Sequence, residues 1–520
     1  MDELVGQLIW AFVTGSEDLG PVERAIRKGR VGGVWLLPTQ MSGPAETAEL
    51  VNRLQAAAPQ PLLFGVDAEA GMGLVMRGAT LLPTAMALGA SRDEDLARAA
   101  GQVTAAEAAA CGINAVAAPV LDVNVNPSNP IINTRAFGED PQLVSRMGTA
   151  FLEGVDSVTD GVVLPIGKHF PGHGDTTTDS HLQLGVVDQP LSRLQSIELV
   201  PFEAAIGKKI PMLMTAHVAY PALDPSGAPA TLSKPILTDL LRSEMHFAGA
   251  VVTDCMNMYA ILHNFDAGEA TAQAMLAGCD LILTDRWDLA YEALLHALLE
   301  DQIRGSRIRE AADRVRTVKS QIFGPDLARP APVDPDAARS IVGSAGHQAV
   351  ADRIAAASVT VVSGKLPPPP ERPLIMATLM ARRFGPSVES QLRSALAAEG
   401  RPDIDLLLLN PQPDASQIKE ALEHAQSAGW AALLHFNRVE SFDPDAVLAR
   451  DELAQLTDAI AATGCPVIVA SMGSPYILPA FDKATATLCS YSTSDASVRA
   501  VLRVLIGAGQ PAGRVPVGAA

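Results

Sequence analysis

Eight apolar runs of strand length, each followed by a stretch of helical composition, constrain this chain more than any other feature. GQLIWAFV, GGVWLL, PLLFGVDAE, INAVAAPVLDV, VLPIGKHF, IPMLMTAHV, GAVVTDCM and CDLILTD follow one another in that order. Their continuous Val, Ile and Leu content, in place of an alternation of apolar and polar residues, suits parallel strands buried on both faces. Segments such as DEDLARAAGQVTAAEAAA lie between them, and eight strand–helix units predict a TIM-like (β/α)8 barrel. Asp67, Asp122, Lys168 with His169, His217, Asp254 and Asp285 each stand at the C-terminal end of a run. In a barrel that end carries the chemistry.

A chain of 520 residues exceeds what one hydrophobic core accommodates, so two domains are expected. The proline- and alanine-rich stretch GPDLARPAPVDPDAAR reads as a linker, because each proline fixes φ and removes a backbone donor. The boundary falls near residue 330, with the barrel as the catalytic domain over 1–330 and a second domain over 331–520. There VTVVSG, PLIMATL, DLLLLN, WAALLHF, CPVIVASMG and TLCSY alternate with helical stretches. This pattern predicts an αβα layered sandwich with a mostly parallel sheet, to which we assign a scaffolding or assembly role.

Composition narrows the partners. A net charge of -19 opposes nucleic acid, whose recognition rests on clustered Lys and Arg. No apolar run reaches the roughly 20 residues of a spanning helix, and the first residues, with Asp2 and Glu3, lack the basic region of a signal peptide. Five scattered cysteines without a CxxC pair suggest neither a disulfide framework nor a cysteine zinc site, so a reducing, cytoplasmic setting is expected. The expected partner is a small uncharged molecule, bound without cofactor or metal by a monomer or homodimer.

The densest polar cluster is KHFPGHGDTTTDSH, from Lys168 to His181, directly after an apolar strand. Pro171, Gly172 and Gly174 break regular structure, so the cluster forms a loop at the strand end. His173, Asp175 and Thr176 are expected to shape this loop. Asp179 and His181, two apart in an extended segment, point to one side, where the carboxylate fixes the tautomer of the imidazole and raises its pKa toward that of a general acid. In VVTDCMNM, Asp254 ends a strand and is either a helix cap or a nucleophile. Asp67 and Arg135 are candidates for binding hydroxyls through charge-assisted hydrogen bonds, as is Arg77. Glu69, Glu139 and Asp140 read as structural residues that hold loops or cap helices.

In the order GINAVAAPVLDVNVNPSNPIINTRAFGEDP, KHFPGHGDTTTDSH, MTAHVAYPALD and VVTDCMNM, the first domain resembles the β-N-acetylglucosaminidase branch of family 3 glycoside hydrolases. SMGSPYIL and PAGRVPVG extend the resemblance to two-domain members. The resemblance implies hydrolysis with retention through a covalent glycosyl-enzyme, with Asp254 as nucleophile and the Asp179/His181 pair as acid/base. It places Asp67, Arg135, Lys168, His169 and Arg77 in sugar binding. Two departures stand out: DAEAGMGLVMR is two residues longer than the family's DxEGGxVxR, and Cys255 stands where a second Asp is common. The expected substrate is a terminal N-acetylglucosamine of a muropeptide or chitin fragment, as in peptidoglycan recycling. Three alternatives compete: a phosphorylase using the same groups, a metal hydrolase built on His169, His173, Asp175, Asp179 and His181, and a sugar-binding protein without turnover.

Overall fold

All eight runs of the first half form strands, β1 (Ile9–Phe12), β2 (Gly33–Trp35), β3 (Leu63–Val66), β4 (Ala115–Val116), β5 (Leu164–Phe170), β6 (Met212–Thr215), β7 (Ala250–Val252) and β8 (Ile282–Thr284). The computed structural model describes residues 1–13, 19–159, 162–179, 182–380, 387–440 and 443–518. From β1 to β7 each strand pairs in parallel with the next, and β1 also pairs in parallel with β8. A bridge between Val252 and Leu281, with Thr253 N donating to Leu281 O at 3.0 Å, closes the ring between β7 and β8. Helices such as Pro44–Ala57, Glu94–Ala110 and Pro141–Thr159 form the outer layer. Asp93 caps the second of these by accepting the N–H of Asp95 and Leu96, which satisfies donors that the first helical turn cannot pair.

The barrel interior is filled by indoles. Trp10 and Trp35 meet edge to face with centroids 5.2 Å apart, and a Cβ on Gly65 would lie 2.5 Å from the Trp35 ring and 2.6 Å from that of Trp10. Glycine is therefore required on β3 by close approach. Gly65→Val is expected to destabilise the fold by about 1–3 kcal/mol through overpacking, read as a fall in the urea midpoint with no change in slope. At the opposite, N-terminal face, buried Lys319 donates to Gln7 Oε1, Gly32 O and Pro61 O at 2.6–2.9 Å. There too Asp280 gathers Arg242, Arg307 and Arg314.

Residues 324–334 are irregular but held to the barrel, since the Asn52 side chain both donates to and accepts from the Val333 backbone. Beyond them the six remaining runs form β9 (Thr360–Gly364), β10 (Pro373–Thr378), β11 (Asp405–Leu409), β12 (Trp430–His435), β13 (Val467–Ser471) and β14 (Ala486–Cys489). The sheet order is β9-β14-β13-β12-β10-β11, parallel except where β9 meets β14. Alternate residues of β10 enter different cores: Leu374 and Met376 pack with Ala421 and Leu453, while Ile375 and Ala377 pack with Leu392 and Val501. Helices thus cover both faces, as the uninterrupted apolar strands require. Met86, Ala87 and Ala90 of the barrel join the former core, and Thr84 Oγ1 donates to Tyr491 O at 2.8 Å.

Candidate active site

The polar residues of the strand ends meet at the C-terminal mouth of the barrel. Lys168, on β5 and buried, places Nζ 2.7 Å from Asp67 Oδ1 and 2.7 Å from Glu69 Oε1. Asp67 follows β3 directly and accepts a further bond from Trp35 Nε1 at 3.3 Å. Arg135, in the turn Asn133–Arg135, grips Glu69 with two bonds, Nε to Oε2 at 2.8 Å and Nη2 to Oε1 at 2.7 Å. Burial alone would raise the Glu69 pKa, but Arg135 and Lys168 hold its carboxyl well below the usual carboxylate range. Burial likewise works against the Lys168 charge, which Asp67 and Glu69 more than restore, so its pKa is raised.

Asp122 lies beyond the short β4, yet it reaches His169 because a bridge between Val120 and Lys168 prolongs the pairing of β4 with β5. Its Oδ2 sits 2.7 Å from His169 Nδ1, and its Oδ1 accepts the N–H of His173 at 2.6 Å. The carboxylate orients the imidazole and leaves Nε2 as its free face. His173 itself turns to Thr176, with Nδ1 3.0 Å from Oγ1. Burial, with His169 nearby, lowers its pKa to about 4, so it is neutral at working pH. The loop-shaping role expected of His173 and Thr176 agrees with these contacts.

Asp254 comes two residues after β7. Its Oδ1 accepts the N–H of Cys255 at 2.7 Å. Burial pushes its pKa up, but His217, His169, the Cys255 amide and Lys168 together bring it to about 2. His217 is fixed on both sides, Nδ1 by Thr231 Oγ1 at 2.7 Å and Nε2 by Cys255 O at 3.0 Å. A carboxylate that remains ionised among cationic and imidazole groups is equipped for nucleophilic attack.

Asp179 is buried, and its carbonyl accepts the N–H of Leu182 at 2.9 Å and of Gln183 at 3.1 Å. His181 lies outside the described residues, so its pairing with Asp179 rests on the sequence. Arg77 is exposed on a turn after Met72–Leu74 and does not join the ion pairs of Asp67, Glu69, Arg135 and Lys168. Glu69, read as a structural residue that holds loops, connects two of the sugar-binding candidates, Arg135 and Lys168. Its place two residues after Asp67, on the same side of an extended segment, was the available signal.

The description "Glycosyl hydrolase family 3 N terminal domain" matches residues 1–318, and "Glycosyl hydrolase family 3 C-terminal domain" matches residues 346–520. The chain belongs to glycosyl hydrolase family 3. Its architecture is that of a solved family 3 β-N-acetylglucosaminidase from Paenibacillus sp. str. FPU-7, with a TM-score of 0.90, 31% identity, and coverage of 100% of this chain and 99% of the other. The "Beta-glucoside phosphorylase BglX" superposes with a TM-score of 0.87 at 25% identity, over 100% of this chain and 93% of that one. A "Beta-hexosaminidase A" of Pseudoalteromonas piscicida is 32% identical over 370 residues, 65% of this chain and 60% of its own length. Family 3 membership places the mouth of the barrel, with its ionised Asp254, in a family of glycoside hydrolases.

Proposed function

We propose that this chain is a retaining exo-β-N-acetylhexosaminidase that releases terminal N-acetylglucosamine from muropeptide fragments or chito-oligosaccharides. The observation that carries the reading is Asp254, ionised at the strand end and surrounded by His217, His169 and Lys168. Asp254 attacks the anomeric carbon while His181, held by Asp179, gives its proton to the leaving oxygen. Water activated by the same histidine then cleaves the glycosyl ester, and two inversions give net retention. Lys168, Arg135, His169 and Asp67 hold the sugar hydroxyls so that reacting atoms stay in near-attack geometry. The same reading puts the protein in the cytoplasm, as a monomer or homodimer without cofactor, in recycling of cell-wall fragments. Its relatives named as β-hexosaminidase and β-N-acetylglucosaminidase support the substrate class.

Likeness to a β-glucoside phosphorylase favours a second reading, in which phosphate replaces water in the second step. Release of p-nitrophenol from its β-N-acetylglucosaminide, in phosphate and in phosphate-free buffer, separates the two. Free N-acetylglucosamine in both buffers supports the hydrolase, a sugar 1-phosphate supports the phosphorylase, and no turnover of this or the β-glucoside overturns both.

The pH profile of kcat/KM provides a further prediction. His181 acts as an acid only when protonated, so activity is full below its pKa and is lost as pH rises through it, from a reference of about 6.5 that the Asp179 carboxylate shifts upward. Asp254 must be ionised, and at about 2 it places no acid limb in the working range. His181→Ala is expected to abolish the alkaline limb and to spare substrates whose leaving group needs no proton. An alkaline limb that persists in His181→Ala would assign the proton to another group.

A further inference from the structure

Between β4 and the helix Pro141–Thr159 runs an asparagine-rich segment, NVNPSNPIINTR, whose asparagines take no part in the chemistry proposed above. Three of these asparagines are fully buried or nearly so: Asn124, Asn129 and Asn133. Buried amides of this kind are as a rule paired; Asn133 Oδ1 has no partner among the described residues, whereas the side chains of Asn124 and Asn129 are bonded. Asn124 Oδ1 accepts the N–H of Asn133 at 2.9 Å, at the start of the turn that carries Arg135. Asn129 Oδ1 accepts the N–H groups of Ile131 and Ile132 at 3.0 and 2.8 Å, shaping the same turn.

The amide nitrogens of Asn129 and of neighbouring Asn126 reach the other way, into the loop after β5. Asn129 Nδ2 donates to His173 O at 2.9 Å, and Asn126 Nδ2 to Asp175 O at 3.2 Å. Gly174 is pressed so closely on the segment that a Cβ there would meet Val123 O at 1.8 Å. One segment therefore positions both the Arg135 clamp and the root of the loop that leads to Asp179.

The far anchor of this relay belongs to the second domain. Tyr476, on the turn Pro475–Ala480 that follows β13, accepts a bond from Asn124 Nδ2 at 2.9 Å through its hydroxyl oxygen. Val439, also of the second domain, packs on Ile131, Ile132 and Ala136, and Glu139 N donates to Pro516 O at 3.2 Å. The segment is thus gripped between the two domains at the point where it bends toward the site.

We propose that Tyr476 is a positioning residue, through which the second domain sets the Arg135 turn by way of Asn124, and the root of the acid/base loop by way of the Asn124 Nδ2 contact with Asn126 O at 3.3 Å. The inference rests on the reading that the barrel mouth is the hydrolytic centre. It gives the second domain a part in turnover that scaffolding alone would not. The ring of Tyr476 serves as filler and the hydroxyl as the relay contact, so the two are separable by a one-atom change.

The test is Tyr476→Phe in the full chain, assayed on the aryl β-N-acetylglucosaminide beside wild type and Asn124→Ala. Loss of one hydrogen bond at a buried amide corresponds to about a tenfold fall in kcat/KM, and the expected result is a fall of that size with KM raised. The melting temperature should stay near that of wild type, and Tyr476→Phe should add little in the Asn124→Ala background. Unchanged kinetic constants in Tyr476→Phe overturn the proposal, as does a fall in kcat alone that tracks a lowered melting temperature, which marks a purely structural contact. An inactive wild type would instead overturn the hydrolytic reading itself.

Discussion

Asp254→Asn lowers kcat/KM by about four orders of magnitude or more, the scale on which removal of a nucleophile acts. The amide matches the carboxylate in shape and still accepts the Cys255 N–H, which at present bonds Asp254 Oδ1 at 2.7 Å. It cannot form the glycosyl ester or balance the charges of Lys168 and the imidazoles beside it. A stability effect accompanies the catalytic one, and its pH dependence has a definite sign. The folded-state pKa of about 2 lies below the ordinary aspartate value, so ionised Asp254 stabilises the fold above pH 4, and that contribution disappears as pH falls toward 2. The melting temperature of Asp254→Asn should therefore lie below wild type at neutral pH, with a gap that narrows below pH 4. Mass spectrometry of wild type treated with a 2-fluoro glycosyl donor should find the sugar on the peptide containing Asp254. Retention of more than a few per cent of activity in Asp254→Asn, or label on another peptide, would place the nucleophile elsewhere.

Both sheets were legible in the sequence because parallel strands covered on two faces cannot hide their composition. Each of the fourteen apolar runs became a strand, from GQLIWAFV at β1 to TLCSY at β14. The antiparallel pairing of β9 with β14 was not legible, since a run of Val and Ile is the same in either direction. Nor was the packing of Trp10 and Trp35 against Gly33 and Gly65, because a glycine in a strand run does not reveal which ring approaches it.

The site was legible in its charged residues and opaque in its pairings. Lys168, His169, Asp67 and Asp254 announced themselves at strand ends, and the structure gathers them. Asp122 was visible at the end of its run, but its hold on His169 depends on the Val120–Lys168 bridge, a register that no local pattern encodes. Glu69 was read as a structural residue, but what it holds was not legible. Its two partners are 66 and 99 positions away in the chain, and only the curvature of the barrel brings them together.

Glu69→Ala is expected to have the next largest effect on turnover, about 10²–10³-fold in kcat/KM. Glu69 carries a bidentate pair with Arg135 and a 2.7 Å contact with Lys168, with only 11% of its side chain exposed. Removing it leaves buried Lys168 paired with Asp67 alone, and partly buried Arg135 without its bidentate partner. Breaking a buried pair from one side costs about 3–5 kcal/mol, because the surviving charge stays desolvated. Part of that cost will appear as lower stability. The rest will appear as loss of substrate binding, since Arg135 and Lys168 then repel each other across the subsite. The decisive comparison is with Arg135→Ala and with the double variant. If Glu69 acts by holding Arg135, the double variant is less impaired than the product of the single effects, because the uncompensated guanidinium is gone. Multiplicative losses would mean that Glu69 meets the sugar directly. Activity within twofold of wild type in Glu69→Ala would mean that Lys168 and Arg135 hold their places without it.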